Sequence, residues 1–216
     1  MQSSGRNKDA KAIVSQRNLI VAITGASGTV FGARILELLR NTDVTTHLVM
    51  SRWGARTLAH ETGRTPQDME ALAHRVYSVN DLGAAIASGS FLSMGMVVAP
   101  CTMSTLGAIA HGVGGDSLIH RAADVVLKER RKLVLVARES PLSEIHLENM
   151  LKLSRMGAVI FPPVPAFYNH PQSIEDLVTH IATRVLDQFD IHLDTTRRWN
   201  GEMVSKLEDR RSRSGE

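Results

Sequence analysis

Short apolar runs alternate with longer amphipathic segments along the central part of the chain. A short apolar run between helical segments is typical of a parallel strand that is buried on both faces. Five such runs are predicted to be strands: 19–24, 46–50, 96–99, 133–137 and 158–161. The pattern therefore predicts one α/β domain of three layers, in which helices cover both faces of a mostly parallel sheet.

Apolar spacing and capping residues indicate the helices. Segment 31–39 carries apolar side chains at helical spacing. Thr65 precedes Pro66, which is typical of a helix with a capping residue and a proline at its first position. Ser173 opens the last predicted helix with a similar cap, and we interpret the apolar stripe of that helix as core packing.

Polar segments flank the predicted domain, which spans residues 19–199. Residues 1–18 lack the apolar core of a secretory signal, so we expect a flexible tail there. A transit peptide shares part of this composition, which leaves import into an organelle open. Residues 200–216 are rich in charge and are expected to form a polar tail or an arm on a neighbouring subunit.

Composition narrows the function classes. The net charge is only +3 and aromatic residues make up 4% of the chain, so nucleic-acid binding is not expected. The single cysteine excludes an intramolecular disulfide, and no common zinc-binding string is present, so no metal is expected. No apolar stretch reaches the roughly 18 residues of a membrane helix. We therefore expect a soluble protein of a reducing, cytoplasmic compartment.

The first predicted strand leads into a glycine-rich turn, Thr24-Gly25-Ala26-Ser27-Gly28. Ligands bind beyond the carboxyl ends of parallel strands, where free backbone amides suit a phosphate or a flavin. The spacing does not match the dinucleotide fingerprint Gly-x-Gly-x-x-Gly, which argues against a nicotinamide-dependent reductase. A phosphate site and a plain tight connection both remain open from this turn alone.

Hydroxyl groups follow the second and third predicted strands, at Ser51 and in the turn Pro100-Cys101-Thr102-Met103-Ser104-Thr105. Such a turn either caps the following helix or binds an anion, and capping is the simpler interpretation. We interpret Cys101 as a buried thiol, because no histidine is arranged near it in the sequence.

Charged and aromatic residues surround the last two predicted strands. Arg138 and Glu139 end the fourth strand in the predicted crevice, where a buried charge needs a partner or a ligand. Tyr168 closes a loop with three prolines, which holds it in place at little entropic cost. Arg130 and Arg131, which precede the fourth strand, are interpreted as a solvated face.

Taken together, these segments resemble the UbiX-type flavin prenyltransferase family, whose members are also labelled aromatic acid decarboxylase accessory proteins. Several unusual strings occur in the family's order between residues 19 and 199, which makes the resemblance specific. The strings are Thr24-Gly25-Ala26-Ser27-Gly28, Ser88-Gly89-Ser90, Arg121-Ala122-Ala123-Asp124-Val125, Leu127-Lys128-Glu129, Arg138-Glu139-Ser140-Pro141-Leu142, His146-Leu147-Glu148-Asn149-Met150 and Pro165-Ala166-Phe167-Tyr168.

The resemblance implies a Rossmann-like fold and an alkyl transfer. Such an enzyme joins a dimethylallyl group from dimethylallyl phosphate to N5 and C6 of reduced FMN, the prenyl acceptor. The product, prenylated FMN, serves UbiD-type decarboxylases, so a decarboxylase of that type is the implied recipient. The family forms large homo-oligomers with sites between subunits, and a homo-oligomer is expected here.

Carried over position by position, the resemblance also implies the site residues. FMN is expected to contact Gly25, Ala26, Ser27, Ser51, Thr102, Met103, Ser104, Thr105 and Arg138. Dimethylallyl phosphate is expected to contact Lys128, Glu139, Tyr168, Arg184 and Trp199. The expected catalytic residues are Ser27, Glu61, Lys128 and Glu139. Within this set, Ser27 and Glu61 are expected to share a hydrogen-bonding network that handles a proton near the flavin.

The chemistry of a leaving phosphate agrees with these residue types. Breaking the allylic carbon–oxygen bond leaves negative charge on the phosphate, which Lys128, Arg184 and Tyr168 are expected to stabilise. The positive charge on the allyl fragment is stabilised by electron-rich ring faces in a site that excludes water. The flavin and Trp199 are expected to supply these faces.

Two positions depart from the family pattern. Thr102 stands where serine is usual and keeps the hydroxyl, whereas Leu82 lies where some members carry an aromatic residue, which leaves the preferred allyl phosphate open. Two alternatives remain. One is a non-catalytic FMN-binding accessory subunit, which would not need Lys128, Glu139 and Arg184 together. The other is a flavin-dependent cysteine decarboxylase, whose Pro-x-Met-Asn-x-x-Met-Trp string is not evident here.

Overall fold

The computed structural model describes residues 17–201. These residues contain a six-stranded sheet in which all neighbouring strands are parallel. The strands are β1 (Asn18–Ile23), β2 (Thr45–Met50), β3 (Arg75–Tyr77), β4 (Gly95–Cys101), β5 (Lys132–Ala137) and β6 (Val159–Ile160). Their order across the sheet is β3-β2-β1-β4-β5-β6, so β1 is central and later strands add on both sides.

Seven α-helices and one short 3-10 helix connect these strands within the described part of the chain. The α-helices are α1 (Thr29–Leu39), α2 (Arg52–Thr62), α3 (Pro66–Glu70), α4 (Met103–His111), α5 (Leu118–Lys128), α6 (Glu144–Arg155) and α7 (Ile174–Asp187). The 3-10 helix spans Ala85–Ala87.

Strand β1 shows why the apolar runs are continuous. Leu19, Val21 and Ile23 pack into one buried cluster, whereas Ile20 and Ala22 pack into the other, on the opposite face of the sheet. A strand that is covered on both faces has no solvated side, so its residues are apolar without alternation. None of these five side chains is more than 1% exposed.

Helices cover both faces of the sheet. On one face, α1, α2, α3 and α7 contribute Leu36, Leu58, Met69 and Leu186 to the core. On the other face, α4, α5 and α6 contribute Leu106, Val126 and Leu153. The predicted three-layer α/β fold with a parallel sheet is therefore confirmed.

The structure confirms the five predicted strands, with bounds that shift by one or two residues. It adds β3, which the sequence pattern did not indicate, because this strand has three residues and both Arg75 and Val76 are exposed. The predicted caps are also confirmed, since Thr65 and Ser173 each form a capping box. The expected tails lie almost wholly outside the described residues.

The parallel arrangement places the ends of successive strands together. Ile23, Met50, Cys101 and Ala137 all lie at one end of the sheet, which we call the carboxyl end, and the amino end lies opposite. The loops that carry most predicted site residues leave the sheet at its carboxyl end. No helix between residues 17 and 201 has the length and apolar character needed to cross a membrane.

Candidate functional site

A buried threonine holds the two central loops of the carboxyl end side by side. The Thr24 hydroxyl donates to the Pro100 carbonyl at 2.7 Å and accepts from the Thr102 amide at 3.0 Å. The Thr24 amide also donates to the Pro100 carbonyl, at 3.2 Å. These bonds fix the glycine-rich turn after β1 beside the hydroxyl-rich turn after β4.

Glu61 caps the helix that follows the glycine-rich turn. Gly28 precedes α1 with a positive φ of 101° and supplies no side-chain cap. The Glu61 carboxylate, on α2, accepts bonds from the Gly28 amide at 3.0 Å and from the Thr29 amide at 3.0 Å. It also accepts a bond from the Thr29 hydroxyl at 2.7 Å. This carboxylate therefore satisfies amides at the start of α1 that would otherwise lack partners.

The structure brings Ser27 and Glu61 together, because the Ser27 side chain lies close enough to this carboxylate to help lower its pKa. Burial raises the pKa of Glu61, but the hydrogen bonds from Ser27, Thr29 and Gly28 outweigh it, so the pKa lies below the ordinary glutamate value. Glu61 is therefore ionised at neutral pH, when it acts as a hydrogen-bond acceptor.

Ser51 and Thr102 both act as helix caps, as the simpler interpretation held. The Ser51 hydroxyl accepts from the Gly54 amide at 2.9 Å at the start of α2. The Thr102 hydroxyl accepts from the Thr105 amide at 3.1 Å at the start of α4. The positive ends of the α2 and α4 dipoles thus face the carboxyl end of the sheet, an arrangement that favours an anion there.

Arg138 and Glu139 follow β5 at the same end, and both side chains are exposed in the single chain. The expectation of a buried charged pair is therefore wrong for one chain. The Arg138 amide donates to the Cys101 carbonyl at 3.3 Å, which ties this loop to the end of β4. Within residues 17–201 the Arg138 guanidinium has no carboxylate partner, so its charge is available to a ligand.

A second cluster lies beside α7 and contains three more of the predicted residues, of which only Arg184 belongs to the helix itself. The Tyr168 ring contacts the Trp199 ring edge to face, with 5.9 Å between centroids. It contacts the buried His180 ring at the same centroid distance. Arg184, in the last turn of α7, pairs with Asp187 at 3.0 Å and keeps nearly half of its side chain exposed.

Lys128 lies apart from both groups, at the amino end of the sheet. It is the last residue of α5, and its ammonium pairs with Glu129 at 2.6 Å. Strand β5 runs from Lys132 to Ala137, so it separates that end from Arg138 by about 17 Å. A single chain therefore does not place Lys128 beside Arg138.

Arg131 also lies near the amino end of the sheet, and its interpretation as a solvated residue is wrong. Its guanidinium is partly buried and donates to the Gly89 carbonyl at 2.8 Å and to the Phe91 carbonyl. These bonds hold the Ser88-Gly89-Ser90 string next to Lys128. A backbone carbonyl partner in a distant loop leaves no local pattern in the sequence, which is why this role was missed.

Cys101 is fully buried, as predicted. Burial raises the pKa of its thiol above the ordinary value, so the thiolate is suppressed at neutral pH. The residue therefore packs as a small apolar side chain in the core. Within residues 17–201 no group of three His, Cys, Asp or Glu side chains is arranged to hold a metal ion.

The sequence matches a known protein family over most of its length. A family model described as Flavoprotein matches residues 8–186. A probable UbiX-like flavin prenyltransferase of Bacillus subtilis is 56% identical over 183 residues, covering 85% of this chain and 89% of the relative. The flavin prenyltransferase LpdB of Lactiplantibacillus plantarum is 56% identical over 187 residues, covering 86% of this chain and all of that protein.

The chain belongs to the UbiX-like flavin prenyltransferase family. The crystal structure of AnUbiX, in complex with FMN and dimethylallyl pyrophosphate, matches this UbiX-like chain with a TM-score of 0.85 and 54% identity. That match covers 87% of this chain and 100% of AnUbiX. A dodecameric, FMN-dependent UbiX-like decarboxylase from Escherichia coli matches with a TM-score of 0.83 and 54% identity, covering 85% and 100% of the two chains.

Sequence reasoning missed residues that hold the predicted ones in place in this UbiX-like chain. Trp53 packs against the glycine-rich turn so closely that a Cβ on Gly25 would lie 2.5 Å from the Trp53 Cβ. A tryptophan two residues after the Ser51 cap was the available signal for this contact. Asp187 and Arg198 had no such signal, because their contact joins residues eleven positions apart across the end of α7.

Proposed function

We propose that this chain is a flavin prenyltransferase that joins the dimethylallyl group of dimethylallyl phosphate to N5 and C6 of reduced FMN. The observation that carries the proposal is the 54% identity, over the full length of AnUbiX, to a structure that holds FMN and a dimethylallyl compound. The product, prenylated FMN, would pass to a UbiD-type decarboxylase. The chain would therefore make a cofactor and would not itself remove carbon dioxide.

The carboxyl end of the sheet suits the flavin phosphate. Within residues 17–201 the Ala26 amide has no hydrogen-bond partner, so it can donate to a phosphate oxygen. Ser51 accepts a bond as a cap and still has its own proton to donate. The guanidinium of Arg138 adds a positive charge, and the starts of α2 and α4 add their dipoles.

Once bound there, reduced FMN supplies the ring positions to which the dimethylallyl group is joined. Ser27 lies in the same turn as Ala26, and its side chain lies close to the Glu61 carboxylate. Because the pKa of Glu61 is lowered, this carboxylate orients the Ser27 hydroxyl and is not protonated at rest. We propose that the oriented hydroxyl relays a proton during ring closure.

The residues expected at dimethylallyl phosphate are cations and a phenol. Arg184 and Lys128 would neutralise the charge that grows on the departing phosphate, and Tyr168 would donate a hydrogen bond to it. The faces of the Tyr168 and Trp199 rings would stabilise the positive allyl fragment and exclude water from it. Glu139 would set the protonation of the phosphate among these cations.

The complete site requires more than one copy of the chain. Lys128, expected at dimethylallyl phosphate, lies at the amino end of the sheet and Arg138, expected at FMN, lies at the carboxyl end, so one copy cannot bring both into the pocket where the two substrates meet. We propose that neighbouring subunits supply these residues to a shared pocket in a homo-oligomer. The dodecameric assembly of the UbiX-like protein from Escherichia coli supports this arrangement.

The mass of the flavin tests the proposed function. Purified protein is incubated without oxygen with reduced FMN and dimethylallyl phosphate, and the flavin is then extracted and weighed by mass spectrometry. We expect a flavin that is heavier by one five-carbon unit, and no such product when dimethylallyl phosphate is left out. Tight FMN binding with an unchanged flavin mass would instead indicate the non-catalytic accessory subunit.

A further inference from the structure

Asp187 connects two arginines and a histidine at the end of α7. Arg198 binds both of its carboxylate oxygens, with two bonds of 2.8 Å. Arg184 binds it at 3.0 Å and His192 at 2.9 Å. The Asp187 side chain is only 8% exposed, whereas Arg184 and Arg198 are 48% and 44% exposed. The carboxylate is thus covered by its own partners, which keep their outer surfaces open.

The position of Asp187 is not one that stabilises a helix. It is the last residue of α7, where the helix dipole disfavours a negative charge. The hydrogen bond from Arg198 is the largest cause that lowers the pKa of Asp187, to about 2. The arginine partners therefore offset the unfavourable helix dipole. This indicates that the role of the carboxylate is to hold the arginines and not to stabilise the helix.

The charges of the cluster leave an excess of positive charge. One carboxylate is shared by two guanidinium groups, so the group carries a net charge of at least +1. Arg198 takes both carboxylate oxygens, and Arg184 uses only one of its five N–H donors on Asp187. Among residues 17–201, Arg184 therefore has N–H donors left for a phosphate, and the cluster around it keeps a positive charge.

The same contacts hold the segment that carries Trp199. This segment, residues 191–199, begins at the buried Ile191 and is pinned again where Thr195 shares a hydrogen bond with Thr183 at 2.8 Å. The next anchor is the pair between Arg198 and Asp187, directly before Trp199. Trp199 then lies against Tyr168, so the end of the segment depends on the Asp187 contact.

We propose that Asp187 is a positioning residue, which holds Arg184 ready for the phosphate of dimethylallyl phosphate and holds Trp199 against Tyr168. The inference rests on the proposed function for the identity of the phosphate ligand. Its structural half, the placement of Trp199, does not depend on that function. The two halves can therefore be tested separately.

The first test uses Asp187→Asn, which removes the charge and keeps the shape. We expect the KM for dimethylallyl phosphate to rise by about threefold and kcat to fall by about threefold, because Arg184 and Trp199, which both bind the substrate and stabilise its developing charges, lose their anchor. Asp190→Asn is the matched control, because Asp190 is exposed, lies three residues away and has a positive φ that asparagine tolerates. The control is expected to leave both constants unchanged.

The second test reads the placement of Trp199 without any substrate. The chain has two tryptophans, so Trp53→Phe leaves Trp199 as the single emitter for fluorescence work. In that background, Asp187→Asn is expected to shift the emission to longer wavelength and to increase quenching by acrylamide about twofold. Arg198→Gln breaks the same contact from its exposed side and serves as the second variant, with the same expected result.

The outcomes separate this proposal from the proposed function. A KM within about twofold of the wild-type value in an active enzyme, or Trp199 quenching equal to that of the control, overturns the role of Asp187. If the wild-type protein makes no heavier flavin, the proposed function fails, and the Trp199 measurement still decides whether Asp187 holds the segment. Arg198→Gln keeps the proposal falsifiable if Asp187→Asn does not fold.

Discussion

The Thr29 hydroxyl at the start of α1 donates a 2.7 Å hydrogen bond to the Glu61 carboxylate on α2. The same carboxylate accepts the amides of Gly28 and Thr29, so a side chain from the second helix caps the first. The glycine-rich turn lies between these two helices and is held by this cap. The geometry of a proposed flavin-binding turn thus depends on a residue more than thirty positions away.

We predict that Glu61→Ala lowers the stability of the folded protein. Removal of a helix cap costs about 0.5–2 kcal/mol, which corresponds to a fall in Tm of about 1–8 °C for a chain of this size. Glu148→Ala is the control, since Glu148 is exposed on α6. Thermal unfolding followed by circular dichroism measures both variants. An equal Tm for both would contradict the capping role.

The pH dependence of the Glu61 contribution follows from its lowered pKa. Stabilisation by Glu61 is complete above its ordinary pKa of 4.5 and is lost as the pH falls through the lower folded value. The stability difference between the wild type and Glu61→Gln should therefore shrink in strong acid. Urea denaturation at several acidic pH values measures this difference.

We predict that Thr24→Val is destabilising although valine has a similar shape. The substitution leaves the partly buried Thr102 amide without its acceptor and the buried Pro100 carbonyl without one of its donors. An unsatisfied buried group costs about 1–3 kcal/mol, so Tm should fall by about 2–12 °C. Thr24→Ser keeps the hydroxyl and should remain close to wild type, a rescue that a pure packing effect would not produce.

His47 predicts a loss of stability on mild acidification. Burial, followed by the charges of Arg75 and His74, lowers the pKa of His47 from 6.5 to about 4. The unfolded chain then binds more protons than the folded one between these values, so stability is complete above about pH 6.5 and falls as the pH decreases towards 4. The slope in that window is at most about 1.4 kcal/mol per pH unit.

Urea denaturation between about pH 4.5 and 7 tests this prediction. His47→Gln should reduce the slope of the unfolding free energy against pH by the contribution of up to one proton. His60→Gln, at an exposed position on α2, should leave this slope unchanged. His47→Gln should also reduce stability at neutral pH, because the ring bonds to the Tyr77 hydroxyl at 2.9 Å and to Asn18. An unchanged slope in the variant would show that His47 is not the titrating group.

Arg138 is predicted to contribute to FMN affinity. A charge-assisted hydrogen bond to a phosphate is worth about 1.5–3 kcal/mol. Arg138→Gln should therefore raise the Kd for FMN by about 10–100-fold. Arg155→Gln is the control, because Arg155 is an exposed arginine at the end of α6. Fluorescence titration with FMN measures both. Equal affinities would remove Arg138 from the proposed phosphate site.

Cys101 is predicted to be unreactive in the folded protein. Its thiol is fully buried and its pKa is raised by burial, so a disulfide reagent at about pH 8 should find no accessible thiol. After unfolding in guanidinium chloride, one thiol per chain should react, because the chain has one cysteine. Rapid reaction of the native protein would contradict the packing role and reopen a catalytic one.

Local patterns predicted most of the fold. The runs that became β1 and β5 are apolar without interruption because both faces of each strand are buried, and the caps at Thr65 and Ser173 involve residues within one helical turn. Strand β3 could not be predicted in this way. Its three residues pair with β2 at the edge of the sheet. There the strand is partly exposed, so its sequence lacks the continuous apolar run of a buried strand.

The layers, most strands, the caps and, through the motif strings, the family of the chain follow from the order of the residues. The cap of Glu61 on α1, the contacts of Asp187 with Arg184 and Arg198, and the positions of Lys128 and Arg138 at opposite ends of the sheet were visible only in the folded chain. The difference lies in how far apart along the chain the interacting residues are. Periodicity and capping arise from neighbours along the chain, whereas these contacts arise from strand order and helix packing, which bring together residues with no pattern in common.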